Sequence, residues 1–373
     1  MSRSYTCAID WLKALGITLI LYGHVAGWAP LAALPPIYSK QLGVAFFLFA
    51  SGYSLSADTR EPWRIAFNRL FEIVLFGVPF AMLVSVVSFA VGHGLQLSNY
   101  LPFVLGANVL FDNFPANPTT WYLGTYIQIV LLWTMLLRRI PITGRVLAAS
   151  LVCEIAIRAL LMQTAGSFVA YMLVPNWLTV FLMGCWSQHR STASRPEPER
   201  SFTAVDALVV LAGTLGAWLV VANRLPFSGT FPFMRLGVGN PATGAFLVSA
   251  MVSVIYLGVT KLVFRSAATQ PAPAAVRFVA RNTLIIFLAH MPLYYALWPV
   301  LGSWSPILRS TVYMVICLPG LAWASEAIRT VVRPRELRER VAARFPQFTD
   351  TGARTSLGAA SRPDPLTSLP TRR

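Results

Sequence analysis

Residues 9–29 read IDWLKALGITLILYGHVAGWA, an apolar run near the amino end that contains one lysine and one histidine. A helix rises about 1.5 Å per residue, so a run of this length crosses a hydrocarbon core of about 30 Å. Arg3 precedes the run, as a basic residue does in a signal peptide, but Lys13 and His24 interrupt it and no convincing small-residue cleavage site follows. The run is therefore predicted to be a retained first transmembrane helix.

The composition of the whole chain has the same character. Of its 373 residues 56% are hydrophobic and 12% are charged, which is about half the charged fraction of a soluble domain. The fold class is predicted to be all-α, a polytopic integral membrane protein with about ten transmembrane helices. The predicted spans are 11–29, 41–57, 71–91, 121–137, 146–165, 168–186, 205–222, 244–264, 282–301 and 308–328.

The basic residues predict the orientation of these spans. A net charge of +16 is compatible with nucleic-acid binding, but its distribution follows the loops, and cytoplasmic loops carry the excess of Arg and Lys. The loops after the second, fourth, sixth and eighth spans hold Arg60, Arg64, Arg69, Arg138, Arg139, Arg145, Arg190, Arg195, Arg200, Arg265, Arg277 and Arg281. The opposite loops hold only Lys40, Arg224, Arg235 and Arg309. Both termini are therefore predicted to be cytoplasmic, and no nucleic-acid partner is expected.

Two regions follow from this organisation. Residues 1–330 are predicted to form the membrane domain, and 331–373 a basic cytoplasmic tail whose Ser, Pro, Thr and Gly content favours partial disorder. Cys7, Cys153, Cys185 and Cys317 are widely separated and have no ligand-like spacing, so neither a disulfide framework nor a metal site is predicted.

The first predicted span holds Lys13 near its cytoplasmic end and His24 deeper, toward its outer half. Eleven steps of about 100° return to within about 20° of the starting direction, so the two side chains share a helix face and lie about 16 Å apart. An ionisable group inside a bilayer needs a partner or a purpose. The histidine can be a packing residue, and the lysine can extend to the headgroups or pair with Asp10 three residues earlier.

The segment Ile9–Ile17, which leads to Tyr22–His24, resembles the opening of the type-3 membrane acyltransferases, whose first helix carries Arg or Lys, ten residues and then His. The further matches, in family order, are Phe46–Tyr53, Arg69 with Pro79, Trp121–Leu123, and Asn282–Leu284 leading to Phe287–Pro292. After Trp121 many relatives carry acidic residues where this chain has Tyr126, Ile127 and Gln128. That departure is similar to the fucose 4-O-acetylase-like branch.

The resemblance implies an enzyme of the bacterial inner membrane. Such enzymes transfer an acyl group, usually acetyl from acetyl-coenzyme A, to hydroxyls of surface or secreted glycans and related acceptors. The partners it implies are membrane lipids, acetyl-coenzyme A, an exopolysaccharide or lipid-linked glycan acceptor, and polysaccharide assembly machinery. No metal or further cofactor is implied.

The residues themselves suit this chemistry. A sugar hydroxyl needs a general base to attack a thioester, and neutral imidazole is matched to that task, so His24 is the predicted base. The phosphates of the coenzyme need cations, which Lys13, Arg64 and Arg69 can supply. Ser51 and Tyr53 either line the donor site or close the second helix against its neighbours.

The second catalytic candidate is His290, although Pro292 frees a backbone carbonyl that its imidazole can satisfy structurally. For the acceptor, we predict contacts from Asp112, Trp121, Tyr122 and Gln128, since aromatic faces with polar partners suit a sugar. Trp121 and Tyr122 are equally compatible with an aromatic belt at the membrane interface.

Two other functions fit the same residues. In a transporter, Lys13, Glu154, Arg158 and the two histidines would form a proton relay, but no repeated halves are evident in the sequence. Glu154 and Arg158 are also spaced to neutralise each other on one helix face. In a non-catalytic subunit of a glycan synthase, His24 would have no chemical role.

Overall fold

The computed structural model describes residues 3–25, 39–90, 101–111, 120–192 and 241–345. These residues are almost entirely helical, and no strand occurs among them. The helices are α1 (Arg3–Val25), α2 (Ser39–Ser56), α3 (Pro62–Ala90), α4 (Leu101–Val104), α5 (Thr120–Met135), α6 (Gly144–Thr164), α7 (Gly166–Met172), α8 (Leu178–Thr192), α9 (Pro241–Ala268), α10 (Ala274–Leu301), α11 (Pro306–Val315), α12 (Leu321–Val332) and α13 (Pro334–Ala343). Short 3-10 turns occupy Leu137–Arg139 and Val174–Asn176, and a π-helical segment occupies Ile316–Gly320.

Seven helical segments of this part of the chain are long and apolar enough to cross a membrane. They match the predicted spans 11–29, 71–91, 121–137, 146–165, 244–264, 282–301 and 308–328. The span predicted at 41–57 is the 18-residue helix α2, which is not among these seven segments. The span predicted at 205–222 lies outside the described residues, so a helical multi-span fold is confirmed while the count of ten stays a prediction.

The span predicted at 168–186 is wrong as a single helix, because the chain breaks between α7 and α8. Pro175 removes a backbone N–H from the break and disfavours helix in the residue before it. Polar side chains then bind the freed backbone. The Thr125 hydroxyl donates to the carbonyl of Met172 over 2.6 Å, and an Arg158 guanidinium nitrogen donates to that of Asn176 over 2.6 Å.

The first two helices pack with their backbones in close contact. A Cβ atom added to Gly43 would collide with the Gly16 carbonyl and lie 2.7 Å from the Ile20 side chain, and one added to Gly16 would lie 3.0 Å from the Gly43 carbonyl and 3.4 Å from Phe46. Gly16 lies near Gly43 and Phe46, whereas Ile20, one turn later on α1, lies near Gly43, so the two helices are antiparallel. Small residues that admit such contact are typical of helix interfaces in membranes.

Helices α1 and α10 run parallel. The carboxylate of Asp10 is acted on by the charges of Arg277 and Arg281 near the start of α10, and His24 contacts His290 further along both helices. The bundle therefore has two chemically distinct ends. We call the end that holds Asp10 and Lys13 the basic end, and the end that holds His24 and His290 the histidine end.

Candidate active site

The two membrane histidines predicted from sequence lie beside each other. Their ring centroids are 5.1 Å apart and the rings are inclined by 53°. His290 is fully buried whereas His24 is partly exposed. His24 is therefore the more accessible of the two histidines.

The imidazole of His290 is fixed by the backbone. Its Nδ1 lies 2.6 Å from the carbonyl oxygen of Phe287, and a carbonyl only accepts, so Nδ1 carries the proton and a neutral ring presents Nε2 as an acceptor. Within the described residues Nε2 is buried and has no hydrogen-bond partner. Pro292 frees the carbonyl of Leu288 from its helical hydrogen bond. The His290 imidazole bonds to the carbonyl of Phe287 instead, so it does not satisfy the carbonyl that the proline frees.

Two further contacts hold this part of α10. The Tyr313 hydroxyl donates to the backbone carbonyl of His290 over 2.8 Å. The Phe287 ring lies 5.5 Å from His290 and 5.1 Å from Tyr122, measured between centroids. Tyr122, predicted to bind the acceptor, is thus one ring removed from the histidine pair and is buried.

The other predicted acceptor residues differ in their surroundings. Trp121 is buried in an aromatic cluster, with its centroid 4.8 Å from Tyr171 and 6.3 Å from Trp177. Gln128 donates a hydrogen bond to the backbone carbonyl of Gly106. These contacts give both residues a packing role, and Asp112 lies outside the described residues.

Lys13 and Arg69 meet at the basic end. The charges that act on the partly exposed Lys13 ammonium are those of Arg69, Asp10 and Glu72. The Arg69 guanidinium donates over 3.1 Å to the carbonyl of Ser54 at the end of α2. The positive charge of Arg69 on α3 therefore acts on that of Lys13 on α1, and their role in donor binding stays a prediction.

A fixed anion also borders Arg69. Burial alone would raise the pKa of the Asp58 carboxyl, but hydrogen bonds from Arg60 and the charges of Arg60 and Arg69 outweigh it and lower that pKa below its ordinary value. The Asp58–Arg60 ion pair is 2.6 Å long. The loop between α2 and α3 is thereby held in shape next to Arg69.

An ion pair that the sequence analysis missed joins this region. The Arg329 guanidinium of α12 lies 2.8 Å from the Glu72 carboxylate of α3 and stacks over the Phe76 ring at 5.6 Å. Glu72 is one of the charges that act on Lys13. No local pattern links a residue of α3 to one of α12, so only the packing of the helices could reveal the pair.

The remaining donor-site candidates are Ser51, Tyr53 and Arg64. The Ser51 hydroxyl donates to the Phe47 carbonyl of its own helix over 2.8 Å. The Tyr53 hydroxyl is 3.0 Å from the Ser191 hydroxyl on α8, and its ring packs against Phe264 of α9. Arg64 lies in the first turn of α3 and is partly exposed. Ser51 and Tyr53 therefore have the contacts expected of helix packing.

Glu154 and Arg158 form the pair that their spacing predicts, with 2.7 Å between guanidinium and carboxylate. Arg158 also donates to the Ser253 hydroxyl over 2.6 Å, and Glu154 accepts from the Thr179 backbone N–H over 3.1 Å. The pair thus joins α6 to α8 and α9 at the helix break. Its partners are structural, whereas the relay of the transporter alternative would require contact with the histidines.

The histidine end also has a cation that was not predicted from the sequence. The charge of Lys40, in the first turn of α2, acts on both His24 and His290. In the sequence it appeared only as one of the few basic residues of the outer loops. Its proximity to the histidines depends on how α2 packs against α1, which the sequence alone does not specify.

Comparison with known proteins gives one family match. The type-3 family model described as an acyltransferase domain matches residues 8–326. The match includes both histidines, both lysines described above and Arg69. No curated protein and no solved structure matches the chain.

Proposed function

Since this chain belongs to the type-3 acyltransferase family and is a multi-span membrane acyltransferase, we propose that it moves an acetyl group from acetyl-coenzyme A to a hydroxyl of an exopolysaccharide or lipid-linked glycan. The observation that carries the proposal is the contact between His24 and His290, whose ring centroids are 5.1 Å apart. His24 lies on α1, and near the other end of that helix the charge of Arg69 acts on Lys13. One helix thus links a candidate base to a candidate phosphate site.

The donor is proposed to lie along α1. The phosphates and the thioester of coenzyme A are at opposite ends of its long pantetheine arm. Lys13 and Arg69 would bind the phosphates at the basic end, where a guanidinium offers paired donors and an ammonium a point charge. The thioester would then reach toward His24, about 16 Å further along the helix.

The transfer needs only a base and the two substrates. The acceptor hydroxyl oxygen bonds to the thioester carbonyl carbon while its proton moves to the unprotonated ring nitrogen of His24, which leaves a tetrahedral oxyanion. Collapse of this intermediate re-forms the carbonyl and breaks the carbon–sulfur bond. The thiolate takes the proton from the imidazolium, so coenzyme A leaves as a thiol and His24 is regenerated.

His290 is proposed to be a positioning residue. Since Nδ1 is committed to the Phe287 carbonyl, Nε2 is available to accept a hydrogen bond from the protonated nitrogen of His24. Such an acceptor would select the tautomer of His24 and stabilise its imidazolium. An aspartate has this role beside histidine in serine hydrolases.

The setting of the reaction follows from the charge pattern. The basic end would face the cytoplasm, which supplies acetyl-coenzyme A, and the histidine end would face the periplasm of a bacterial inner membrane. Assignment to the fucose 4-O-acetylase-like branch rests on the departure at Tyr126–Gln128 alone. Lys13 in the place of arginine keeps the positive charge and gives up bidentate binding.

The experiment that tests this function supplies radiolabelled acetyl-coenzyme A to inverted membrane vesicles that contain the protein. Label is expected in extracted polysaccharide or lipid-linked glycan, and right-side-out vesicles of the same membranes should stay unlabelled because the coenzyme cannot cross the bilayer. Absence of label in both preparations, with the protein inserted and a glycan acceptor present, would contradict the proposal.

A further inference from the structure

Lys40 contributes a positive charge beside the histidine pair. It is the second residue of α2, and among the groups whose charges act on His24 are His290 and Lys40. Lys40 acts on His290 as well. The lysine therefore belongs to the surroundings of both imidazoles.

Helix geometry places the residue there independently. On the antiparallel pair α1 and α2, Gly43 fits against Gly16 and Ile20. Lys40 precedes Gly43 by three residues, and His24 follows Ile20 by four. Steps of three or four residues stay on one helix face, and on antiparallel helices these two steps lead in the same direction. Lys40 and His24 thus face each other about one helical turn beyond the glycine contact.

The ammonium of Lys40 is not neutralised by the described parts of the chain. Lys13 has Asp10 and Glu72 nearby, and Lys261 lies 5.1 Å from the centroid of the Trp186 ring. For Lys40 neither a hydrogen bond nor a carboxylate within ion-pair distance occurs among residues 3–25, 39–90, 101–111, 120–192 and 241–345. The side chain is partly buried.

Such a position costs free energy twice over. An unbalanced charge in low-dielectric surroundings is unfavourable, and a cation in the first turn of a helix opposes the positive end of the helix dipole. Both costs fall when a negative charge is present nearby. In the proposed reaction that charge arises on the thioester oxygen, while the thioester group and the hydroxyl are neutral before they react.

We propose that Lys40 stabilises the oxyanion of the acyl-transfer transition state. The proposal rests on the proposed function. As the hydroxyl oxygen bonds to the carbonyl carbon and His24 takes the proton, the carbonyl π electrons move to oxygen, and the Lys40 ammonium donates a hydrogen bond to that oxygen. When the carbonyl re-forms and coenzyme A thiolate departs, the hydrogen bond weakens. Lys40 keeps all its protons throughout, so its role is purely electrostatic.

The test compares Lys40→Met and Lys40→Arg with the parent and with Lys261→Met, a lysine on α9 in a different contact. Steady-state transfer is measured in inverted vesicles with radiolabelled acetyl-coenzyme A, and hydrolysis of the same thioester is measured with water as the acceptor.

Lys40→Met should lower kcat for both reactions by about 100- to 1,000-fold, the size found for loss of one oxyanion donor. The donor KM should change by less than about threefold, because uniform binding is untouched. Lys40→Arg should retain part of the rate, and Lys261→Met nearly all of it.

Three results would overturn the assignment. A Lys40→Met protein with transfer near the parent rate would make Lys40 a residue that merely extends to the headgroups. Transfer that falls while hydrolysis stays at the parent rate would make it a binder of an anionic group on the acceptor. A parent protein that transfers no acetyl would contradict the proposed function itself, and the oxyanion role with it. Lys40→Gln replaces the Met variant if size-exclusion chromatography shows that the latter is misfolded.

Discussion

His24 on α1 and His290 on α10 place their imidazole rings 5.1 Å apart, and the Nδ1 of His290 is held by the Phe287 carbonyl. One ring is fully buried and anchored, and the other is partly exposed. This asymmetry supports the proposed roles, in which His24 is the base that meets the substrate and His290 is the residue that positions His24. The first two predictions separate these roles.

Replacing His24 by Gln should lower acetyl transfer by about 100- to 10,000-fold, the usual contribution of general acid–base catalysis. Glutamine keeps similar bulk and hydrogen-bonding capacity, so a histidine used only for packing would tolerate the change. Labelled glycan formed by inverted vesicles gives the rate, and expression and insertion are compared by immunoblot. Transfer near the parent level would remove His24 from the chemistry.

His290→Asn tests the proposed positioning role. The asparagine amide nitrogen can replace Nδ1 and donate to the Phe287 carbonyl, but nothing replaces Nε2. We expect kcat to fall by about fivefold to thirteenfold, as for loss of one hydrogen bond of about 1 to 1.5 kcal/mol, with the donor KM unchanged. In a double-mutant cycle the combined loss with His24→Gln should be smaller than the sum of the single losses. Full activity of the Asn variant would assign His290 to packing alone.

Arg69→Ala should raise the donor KM more strongly than it changes the response to acceptor, because the guanidinium is placed to bind phosphate beside Lys13. A loss of about tenfold to a hundredfold in kcat/KM for acetyl-coenzyme A corresponds to one charged hydrogen bond of about 1.5 to 3 kcal/mol. Arg138→Ala is the control, since that arginine donates to the Arg60 carbonyl in the neighbouring loop. Equal donor KM values for the parent and Arg69→Ala would exclude the residue from the donor site.

The buried pair of Glu154 and Arg158 should matter for stability. Arg158→Met leaves the Glu154 carboxylate buried without its counter-charge, which costs about 3–5 kcal/mol. The double variant Glu154→Leu with Arg158→Met removes both charges and should be less destabilised than Arg158→Met alone. Thermal unfolding of the detergent-purified proteins measures the order. A double variant that is the least stable of the three would show that the pair stabilises beyond charge compensation.

The contact of α1 with α2 predicts a difference between two glycines. Gly43→Ala adds a Cβ that collides with the Gly16 carbonyl, so we expect a loss of about 1–3 kcal/mol, as in overpacking. Gly144→Ala meets no atom within 4 Å and should be neutral or stabilising by up to about 1 kcal/mol. Thermostability of the two proteins in the same detergent gives the comparison. A Gly43→Ala protein as stable as the Gly144→Ala protein would show that the two helices can separate at little cost.

Part of the fold could be predicted from single segments of the sequence. Seven of the ten spans predicted from apolar runs match helices that are long and apolar enough to cross a membrane, because in lipid a helix satisfies its backbone groups internally. The error at 168–186 had a local signal, since Pro175 lies inside the predicted span. That signal was outweighed by the apolar character of the residues on either side.

The sequence by itself determined that Lys13 and His24 lie on one face of a membrane helix, because the helical repeat acts within a segment. It also identified His290 as a candidate through its family motif. Only the tertiary structure decided that His290 meets His24, that the charge of Lys40 acts on both, and that Arg329 pairs with Glu72. These contacts join residues far apart along the chain, and they depend on helix registers set by close contacts such as that of Gly16 with Gly43.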